Sequence, residues 1–298
     1  MKLLCGLALA LVLSACGGGG GGGSSSTPGN VTTSYLGFSG QSNWTSNGAG
    51  TVTSVGTYNQ ATSGATYTET VNSSNLVVAS SYTSSAGTTV GFNIANGDTI
   101  ATVQTGPLTG KAITSYDPSV NNVLITAIAS ANGWSYQSYG IWMTGFNSSS
   151  GTVGSASVGT LTTGAVIPTS GSATFTGNTG GMYVKANGTP YFYGADMSAN
   201  VNFATRSLAF STTNSGISPQ LAGTYTATNG LNMTGTLSYA AATNLYSGTV
   251  TTAGGGGVGV LTGTATGKFY GPSAQEIGGT LAVRNGLEAL TSGFGGKR

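Results

Sequence analysis

After residue 30, apolar and polar residues alternate with a period of two, the pattern of half-buried β-strands. Clear examples are residues 51–58, 65–71 and 76–82, which are rich in Val, Thr and Tyr. Asn-Gly and Ser-Gly pairs between such stretches are typical of tight turns. Helical periodicity never lasts more than a turn or two, and the best short candidate is Pro272–Ile277. The pattern therefore predicts an all-β protein.

The second half of the chain has the more regular pattern. Short candidate strands follow one another with Gly or Asn between most of them, at residues 152–162, 172–177, 181–185, 190–202, 206–212, 221–227, 231–239, 244–252, 257–266 and 276–284. Many short strands at this spacing indicate a closed antiparallel barrel or a sandwich. We therefore predict a less regular β domain at residues 30–150, followed by an eight-stranded antiparallel β-barrel at residues 151–298.

Two stretches of the first domain are strongly apolar. Residues 120–129 are rich in Val and Ile and predict a buried strand. Residues 134–146 are aromatic, and a strand there would separate Trp134, Tyr136 and Ser138 from Tyr139, Ile141 and Met143. Such a strand could offer an aromatic platform to a ligand, or it could be buried on one side and packed at a sheet edge on the other. We favour the buried strand.

The N-terminus reads MKLLCGLALALVLSAC. Lys2 precedes an apolar run, residues 3–13, which is too short to span a bilayer. The sequence Leu13-Ser-Ala-Cys16 matches the lipobox of bacterial lipoproteins, in which the cysteine thiol accepts diacylglycerol. We therefore predict a signal peptide at residues 1–15 and lipidation of Cys16.

Residues 16–29 contain an unbroken glycine run, Gly17–Gly23, followed by three serines. This composition is typical of a flexible coil and predicts a tether between the lipid and the β body. Gly17 stands where an aspartate is the usual inner-membrane retention signal of enterobacteria. Glycine in place of aspartate at this position favours an outer-membrane location.

Composition excludes several classes of function. Only 5% of the 298 residues are charged, the formal net charge is +2, and no basic run marks a nucleic-acid surface. The chain has no histidine, and its two cysteines are Cys5 in the leader and Cys16. The mature body therefore lacks the usual general bases, thiol nucleophiles and His or Cys metal ligands. We predict no cofactor and no metal.

Carboxylate side chains, which could ligate a metal or act as catalytic groups, are also sparse. The six acids are well separated in sequence, at Glu69, Asp98, Asp117, Asp196, Glu276 and Glu288. Asp117 with Asn121 and Asn122 is the nearest approach to a calcium site, and it is weak. Haem ligation by histidine is excluded, whereas the fourteen tyrosines leave a tyrosine ligand open.

Residues 267–281 read GKFYGPSAQEIGGTL. They resemble the closing signature of the transferrin-binding protein B barrel family, which includes factor H-binding protein and haem-binding surface lipoproteins. The matching residues are Gly267, Phe269, Tyr270, Gly271, Pro272, Ala274, Glu276, Gly278 and Gly279. Residues 168–177 look like the opening strand of that barrel, and residues 196–203 look like its next hairpin. The resemblance spans about residues 165–290.

The signature residues all have structural interpretations. Phe269 and Tyr270 can plug or line the barrel, Gly271 and Pro272 can end a strand and begin a helical turn, and Gly278 with Gly279 can let the chain bend. Because the family holds its ligands mostly with variable loops, no contact residue can be carried over. The first domain resembles the family's "handle" domains only in being rich in β structure.

The sequence supports two hypotheses about function. The first is an outer-membrane, surface-exposed lipoprotein that binds a host or environmental protein or an iron or haem source, together with an outer-membrane transporter or translocator. The second is a structural or adhesive surface lipoprotein, which the neutral Ser/Thr/Gly/Asn-rich composition also suits. We do not expect an enzyme.

Overall fold

The computed structural model describes residues 29–47, 50–74, 76–104, 106–146, 148–219 and 223–298. Their regular structure consists of antiparallel β-strands and a few single-turn 3-10 helices, at Ile94–Asn96, Gly106–Leu108, Ser130–Asn132, Gly164–Val166 and Asn229–Leu231. In this described part, no helix has the length and apolar character needed to cross a membrane. The all-β class predicted from alternation is confirmed.

The first half of the chain forms an open sheet, here called the N-terminal sheet. Its strand order is β6-β5-β4-β1-β11-β10-β9-β8-β7, with β2 and β3 also paired to β1. The strands are β1 (Val31–Ser46), β2 (Val52–Val55), β3 (Asn59–Gln60), β4 (Ala65–Val71), β5 (Val77–Thr83), β6 (Thr89–Asn93), β7 (Thr99–Thr102), β8 (Ala112–Asp117), β9 (Asn122–Ala127), β10 (Gln137–Met143) and β11 (Ser150–Gly159).

The second half forms a closed barrel of eight antiparallel strands. The strands are β12 (Ser172–Val184), β13 (Pro190–Asn202), β14 (Ser207–Ser218), β16 (Met233–Tyr239), β17 (Tyr246–Thr252), β18 (Thr262–Tyr270), β19 (Glu276–Asn285) and β20 (Glu288–Lys297), with the short β15 (Thr226–Ala227) added beside β14. Each strand pairs with the next, and β12 pairs with β20 to close the ring. Closure leaves the barrel without a free edge.

The barrel begins later than the expected boundary at residue 151. Residues 150–159 form β11, which pairs with β1 and β10 in the N-terminal sheet, so the first barrel strand is β12 at Ser172. Alternation predicts a strand at 152–162 but contains no information about which sheet the strand joins. The boundary expected from the pattern is therefore about twenty residues too early.

Other differences also have local causes. The expected strands 172–177 and 181–185 are one strand, β12, because Gly180 and Gly181 lie within it and do not form a turn. Residues 272–277 form a turn followed by β19 and contain no helix; Gly271 and Ala274 have φ of 84° and 58°. The closing strand β20 was not expected, because glycines occupy several of its positions.

Aromatic residues fill the interior of the barrel. Phe269 is fully buried at its centre, with ring centroids of Tyr239 and Tyr246 at 5.3 and 5.4 Å and those of Phe175 and Phe203 at 6.2 Å. Edge-to-face and tilted rings at these distances add to the free energy gained from burial. The interior is therefore a packed core around Phe269.

The N-terminal sheet curls so that β9 and β10 are covered on both faces. Leu124 and Trp142 face Tyr67 and Tyr82 inside the curl, where the Trp142 and Tyr82 rings stack at 5.0 Å. The opposite face, which includes Ile141, packs against barrel residues. Within residues 120–129, Asn122–Ala127 form the buried strand β9, while Val120 is exposed. Within residues 134–146, Gln137–Met143 form the buried strand β10, which lies between β9 and β11 and not at a sheet edge.

We expect Phe269→Ala to lower the free energy of unfolding by about 3–5 kcal/mol, because it leaves a cavity bounded by four rigid rings. Chemical denaturation followed by tryptophan fluorescence measures this change. Val166→Ala is the control: its side chain is 51% exposed, so the loss should stay within about 0.5 kcal/mol. Equal effects of the two substitutions would contradict a core centred on Phe269.

Candidate functional site: the seam between the domains and the clefts beside it

One stretch of the outer barrel wall has glycines at many of its outward-facing positions. Side chains at even positions of β12, β13 and β19 and at odd positions of β20 point outward, since their neighbours, such as Phe175, Leu281 and Phe294, lie in the barrel core. Five of these outward positions are glycines: Gly180 pairs with Gly194 and Gly293, and Gly278 pairs with Gly295. This part of the wall is therefore flat.

The N-terminal sheet packs directly on these glycines, and we call this contact the seam. A methyl group on Gly180 would lie 2.7 Å from Leu108 Cδ1, and one on Gly293 would lie 2.8 Å from Tyr139 Cδ2. Such distances are too short for real atoms, so a larger residue would displace Leu108 of the 3-10 helix Gly106–Leu108 or Tyr139 of β10 from the wall. Apolar contacts of Met182 and Phe192 with Ile141 and Met143 extend the seam.

Glu276 fixes one end of the seam. Its carboxylate accepts hydrogen bonds from the backbone N–H groups of Ser135 and Tyr136, at 2.6 and 2.9 Å. The residue is only 3% exposed, and burial raises the pKa of the Glu276 carboxyl although these bonds and nearby Lys297 oppose the shift. Glu276 thus ties the segment before β10 to the first residue of β19.

Buried hydroxyl and amide pairs add further bonds. The Tyr270 hydroxyl lies 2.6 Å from Ser157 Oγ, and burial raises the pKa of that tyrosine. The Tyr139 hydroxyl donates to Asn178 Oδ1 at 2.6 Å. These bonds join side chains of β10 and β11 to side chains of the barrel, which adds directional constraints to a mostly apolar contact.

Gln137 is the exception among the polar side chains of the seam. It is 3% exposed, and neither its Oε1 nor its Nε2 has a hydrogen-bond partner among the described residues. Its amide lies against Gly278 and Gly295, which provide no side chain to bond. A buried amide without a partner lowers stability. The close approach of β10 to the wall is therefore maintained at an energetic cost.

The signature residues divide between the barrel core and the seam. Phe269 and Ala274 are buried in the core, and a methyl group on Gly267 or Gly279 would meet the rings of Tyr246 or Phe294. Toward the N-terminal sheet lie Tyr270, Gly271, Glu276 and Gly278, and Pro272 occupies the exposed turn.

The reason for Gly278 and Gly279 differs from the expected one. Neither glycine has a positive φ, and both lie inside the regular strand β19. A methyl group on Gly278 would lie 2.6 Å from Ser157 Oγ and 2.8 Å from Gln137 Oε1. Close packing on both sides of β19 requires these glycines, whereas the expected bend is not present.

Two clefts open beside the seam and the N-terminal sheet. One, of about 310 Å³, lies between residues 55–60 and the β18–β20 wall, with Arg284 at its rim donating to the Gly56 carbonyl at 3.3 Å. The other, of about 430 Å³, lies against β6 and is lined by Asp98 and Asp117. Both volumes fall in the range of ligand clefts, roughly 300–1,000 Å³.

The candidate calcium ligands do not converge. Asp117 Oδ1 accepts from the backbone and hydroxyl of Ser119, and Asn121 Oδ1 accepts from the Tyr116 hydroxyl. Across the described ranges, no three His, Cys, Asp or Glu residues are grouped as a metal site. The lipidation candidate Cys16 lies outside the described residues.

The barrel also matches a family model. Residues 167–298 match the model described as C-lobe and N-lobe beta barrels of Tf-binding protein B. The barrel belongs to the transferrin-binding protein B-like β-barrel family. This match covers the closed barrel from just before β12 to the C-terminus, and the signature read from the sequence lies within it.

Solved structures of transferrin-binding protein B also align with this chain, at low sequence identity. A variant from Haemophilus parasuis aligns with 14% identity over 78% of this chain and 51% of that chain, with a TM-score of 0.47. The Neisseria meningitidis protein aligns with 13% identity over 91% and 77%, with a TM-score of 0.43. A variant from Actinobacillus pleuropneumoniae aligns with 14% identity over 88% and 99%, with a TM-score of 0.46.

This chain spans about half the length of the H. parasuis protein. Comparison with curated protein sequences gave no match.

We expect Gly278→Ala to lower the free energy of unfolding by about 1–3 kcal/mol, because the added methyl group overpacks the seam. Chemical denaturation measures the change. Gly91→Ala is the matched control, since a methyl group there would lie 3.8 Å from its nearest neighbour. A Gly278→Ala protein as stable as the control would show that the seam tolerates separation.

We expect Glu276→Gln to cost about 1–3 kcal/mol, because both oxygens of the carboxyl group face backbone N–H donors and the amide replaces one oxygen with an NH2 group that cannot accept. The raised pKa of Glu276 means that the folded protein binds a proton more tightly than the unfolded chain. Its contribution to stability is therefore full below the ordinary pKa of 4.5 and falls as pH rises through the folded pKa. Denaturation of both proteins from pH 4 to 8 measures the difference, and an advantage of the wild type that grows with pH would contradict this assignment.

Proposed function

We propose that this protein is an outer-membrane lipoprotein, anchored through Cys16 and displayed at the cell surface, that binds a protein ligand. The observation that supports this most strongly is the match of residues 167–298 to the barrels of a transferrin-binding protein. The lipobox would supply a lipid anchor, and the glycine-rich tether would let the β body extend away from the membrane surface.

A protein ligand fits the surface better than haem does. A tyrosine that ligates haem iron must reach the iron with its hydroxyl, and eight of the fourteen tyrosines are buried. Burial raises the pKa of Tyr58 and Tyr193 to about 12, which disfavours the phenolate that would bind iron. Recognition would therefore depend on complementary surfaces and a few anchoring contacts.

Exposed apolar side chains favour the N-terminal sheet as the binding surface. Among the described residues, large exposed apolar side chains on this domain are Val31, Leu36, Leu76, Ile94 and Val120, with exposures of 40–69%. The barrel and its linker carry fewer of them, at Leu161, Val166 and Val260. The seam holds the N-terminal sheet firmly on the barrel, so this surface can be presented as one rigid unit.

The experiment compares cells that express the wild type, Cys16→Ser and Cys5→Ser. We expect labelled palmitate in the wild type and Cys5→Ser proteins and its loss in Cys16→Ser, because only Cys16 follows the lipobox residues. Intact wild-type cells should also bind at least one protein from a fluorescent panel of serum proteins that includes transferrin and haemoglobin, and Cys16→Ser cells should not.

Palmitate on the Cys16→Ser protein would contradict the anchor. Normal acylation without binding of any panel protein, together with loss of attachment in cells lacking the gene, would contradict ligand capture and indicate an adhesive role. The Cys5→Ser control separates a specific effect of Cys16 from a general effect on export.

A further inference from the structure

Strand β6 is a free edge of the N-terminal sheet. It pairs only with β5, in the register Ala79↔Asn93, Ser81↔Gly91 and Thr83↔Thr89. The barrel has no such edge, because its strands close into a ring. An exposed edge presents a row of backbone donors and acceptors to any extended chain that reaches it.

The direction of these backbone groups follows from two hydrogen bonds. Asn93 N–H donates away from β5, to Asp98 Oδ2 at 2.8 Å, whereas Ser84 N–H donates to the Thr88 carbonyl at 2.8 Å across the β5–β6 turn. In an antiparallel pair the inward and outward groups alternate. The N–H and C=O of Gly91 therefore point outward, and no described residue is bonded to them.

Gly91 leaves this edge accessible. It is exposed and has no side chain, while its neighbours Val90 and Phe92 point into the sheet core and are 1% and 3% exposed. An incoming backbone would thus meet no side chain of Gly91, and the open edge would end at Asn93, whose outward N–H already donates to Asp98. The core residues on either side would keep β6 in place.

The cleft beside this edge is acidic and has apolar flanks. Its lining includes Asp98 and Asp117 and no lysine or arginine. The Ser119 hydroxyl beside Asp117 lowers the pKa of its carboxyl, which keeps that charge at neutral pH. Next to the lining residues in sequence, Ile94 and Val120 are 49% and 54% exposed.

We propose that the β6 edge is the docking site for an extended, basic segment of the protein ligand, which adds to the N-terminal sheet as a further strand. Backbone bonds to Gly91 would fix its register, the carboxylates would attract its basic side chains, and Ile94 and Val120 would contact its apolar ones. This inference rests on the proposed function and names the mode of binding and the charge of the segment.

The test uses a blocked hexapeptide of alternating lysine and valine as the probe and the chain with Cys16→Ser, which cannot be acylated. Gly91→Pro removes the outward N–H and places the proline ring on the edge without breaking a backbone bond to β5, whereas Gly91→Ala keeps the N–H and fits the available space. We expect Gly91→Pro to weaken peptide binding about tenfold, and Gly91→Ala to bind within about twofold of the parent. Slower hydrogen exchange at the Gly91 amide on peptide addition locates the contact.

The electrostatic part of the proposal has its own test. Asp117→Asn keeps the acceptor for Ser119 but removes the charge, so the lysine peptide should bind about threefold to fivefold more weakly and depend less on salt. A glutamate–valine peptide of the same length should bind at least about tenfold more weakly than the lysine peptide to the parent protein.

Equal binding by Gly91→Pro and the parent would overturn the edge site. Concentration-dependent dimerisation that Gly91→Pro abolishes would assign the edge to a second copy of this chain and would also overturn the proposal. If Gly91→Pro cells capture a serum protein as well as wild-type cells do, the edge site fails while the proposed function stands. Loss of acylation or of all capture in wild-type cells, with peptide binding still dependent on Gly91, is a failure of the proposed function and not of the edge site.

Discussion

The architecture depends on one close contact, in which β10 and β11 pack on a stretch of barrel wall where glycines replace side chains. Gly180, Gly293 and Gly295 remove the side-chain layer that normally separates two packed sheets. The gain is dense apolar packing of residues such as Tyr139 and Ile141 against the wall. Without this contact, the outer face of the N-terminal sheet would expose an apolar surface to water.

The same contact explains the signature near the C-terminus. Within a few residues, β18 and β19 must fill the barrel core with Phe269 and dock the N-terminal sheet through Tyr270, Glu276 and Gly278. Aromatic, acidic and glycine positions therefore alternate closely, because neighbouring side chains of a strand serve opposite faces. Nothing in this division of roles requires a ligand, and the residues available for binding lie on loops and edges elsewhere.

Sequence reasoning succeeded where a pattern has one structural cause. Alternation predicted the strands, and the signature predicted the barrel family. Sequence reasoning failed where one sequence pattern can arise from two different structural causes. Glycines within β12, β19 and β20 resemble turns, yet they are needed for close packing, which depends on residues such as Leu108 and Tyr139 far away in the chain. The sheet to which β11 belongs, the open edge at Gly91 and the bonds of Glu276 to Ser135 and Tyr136 also depend on tertiary structure.

Amide hydrogen exchange of the wild-type protein tests the central contact most directly. If the seam joins the two domains into one cooperative unit, the amides of Gln137–Met143 should open with the same free energy, and the same dependence on denaturant, as those of Glu288–Lys297 in the barrel. If Gln137–Met143 exchange freely while the barrel amides remain protected, the seam does not hold the N-terminal sheet and this account is wrong.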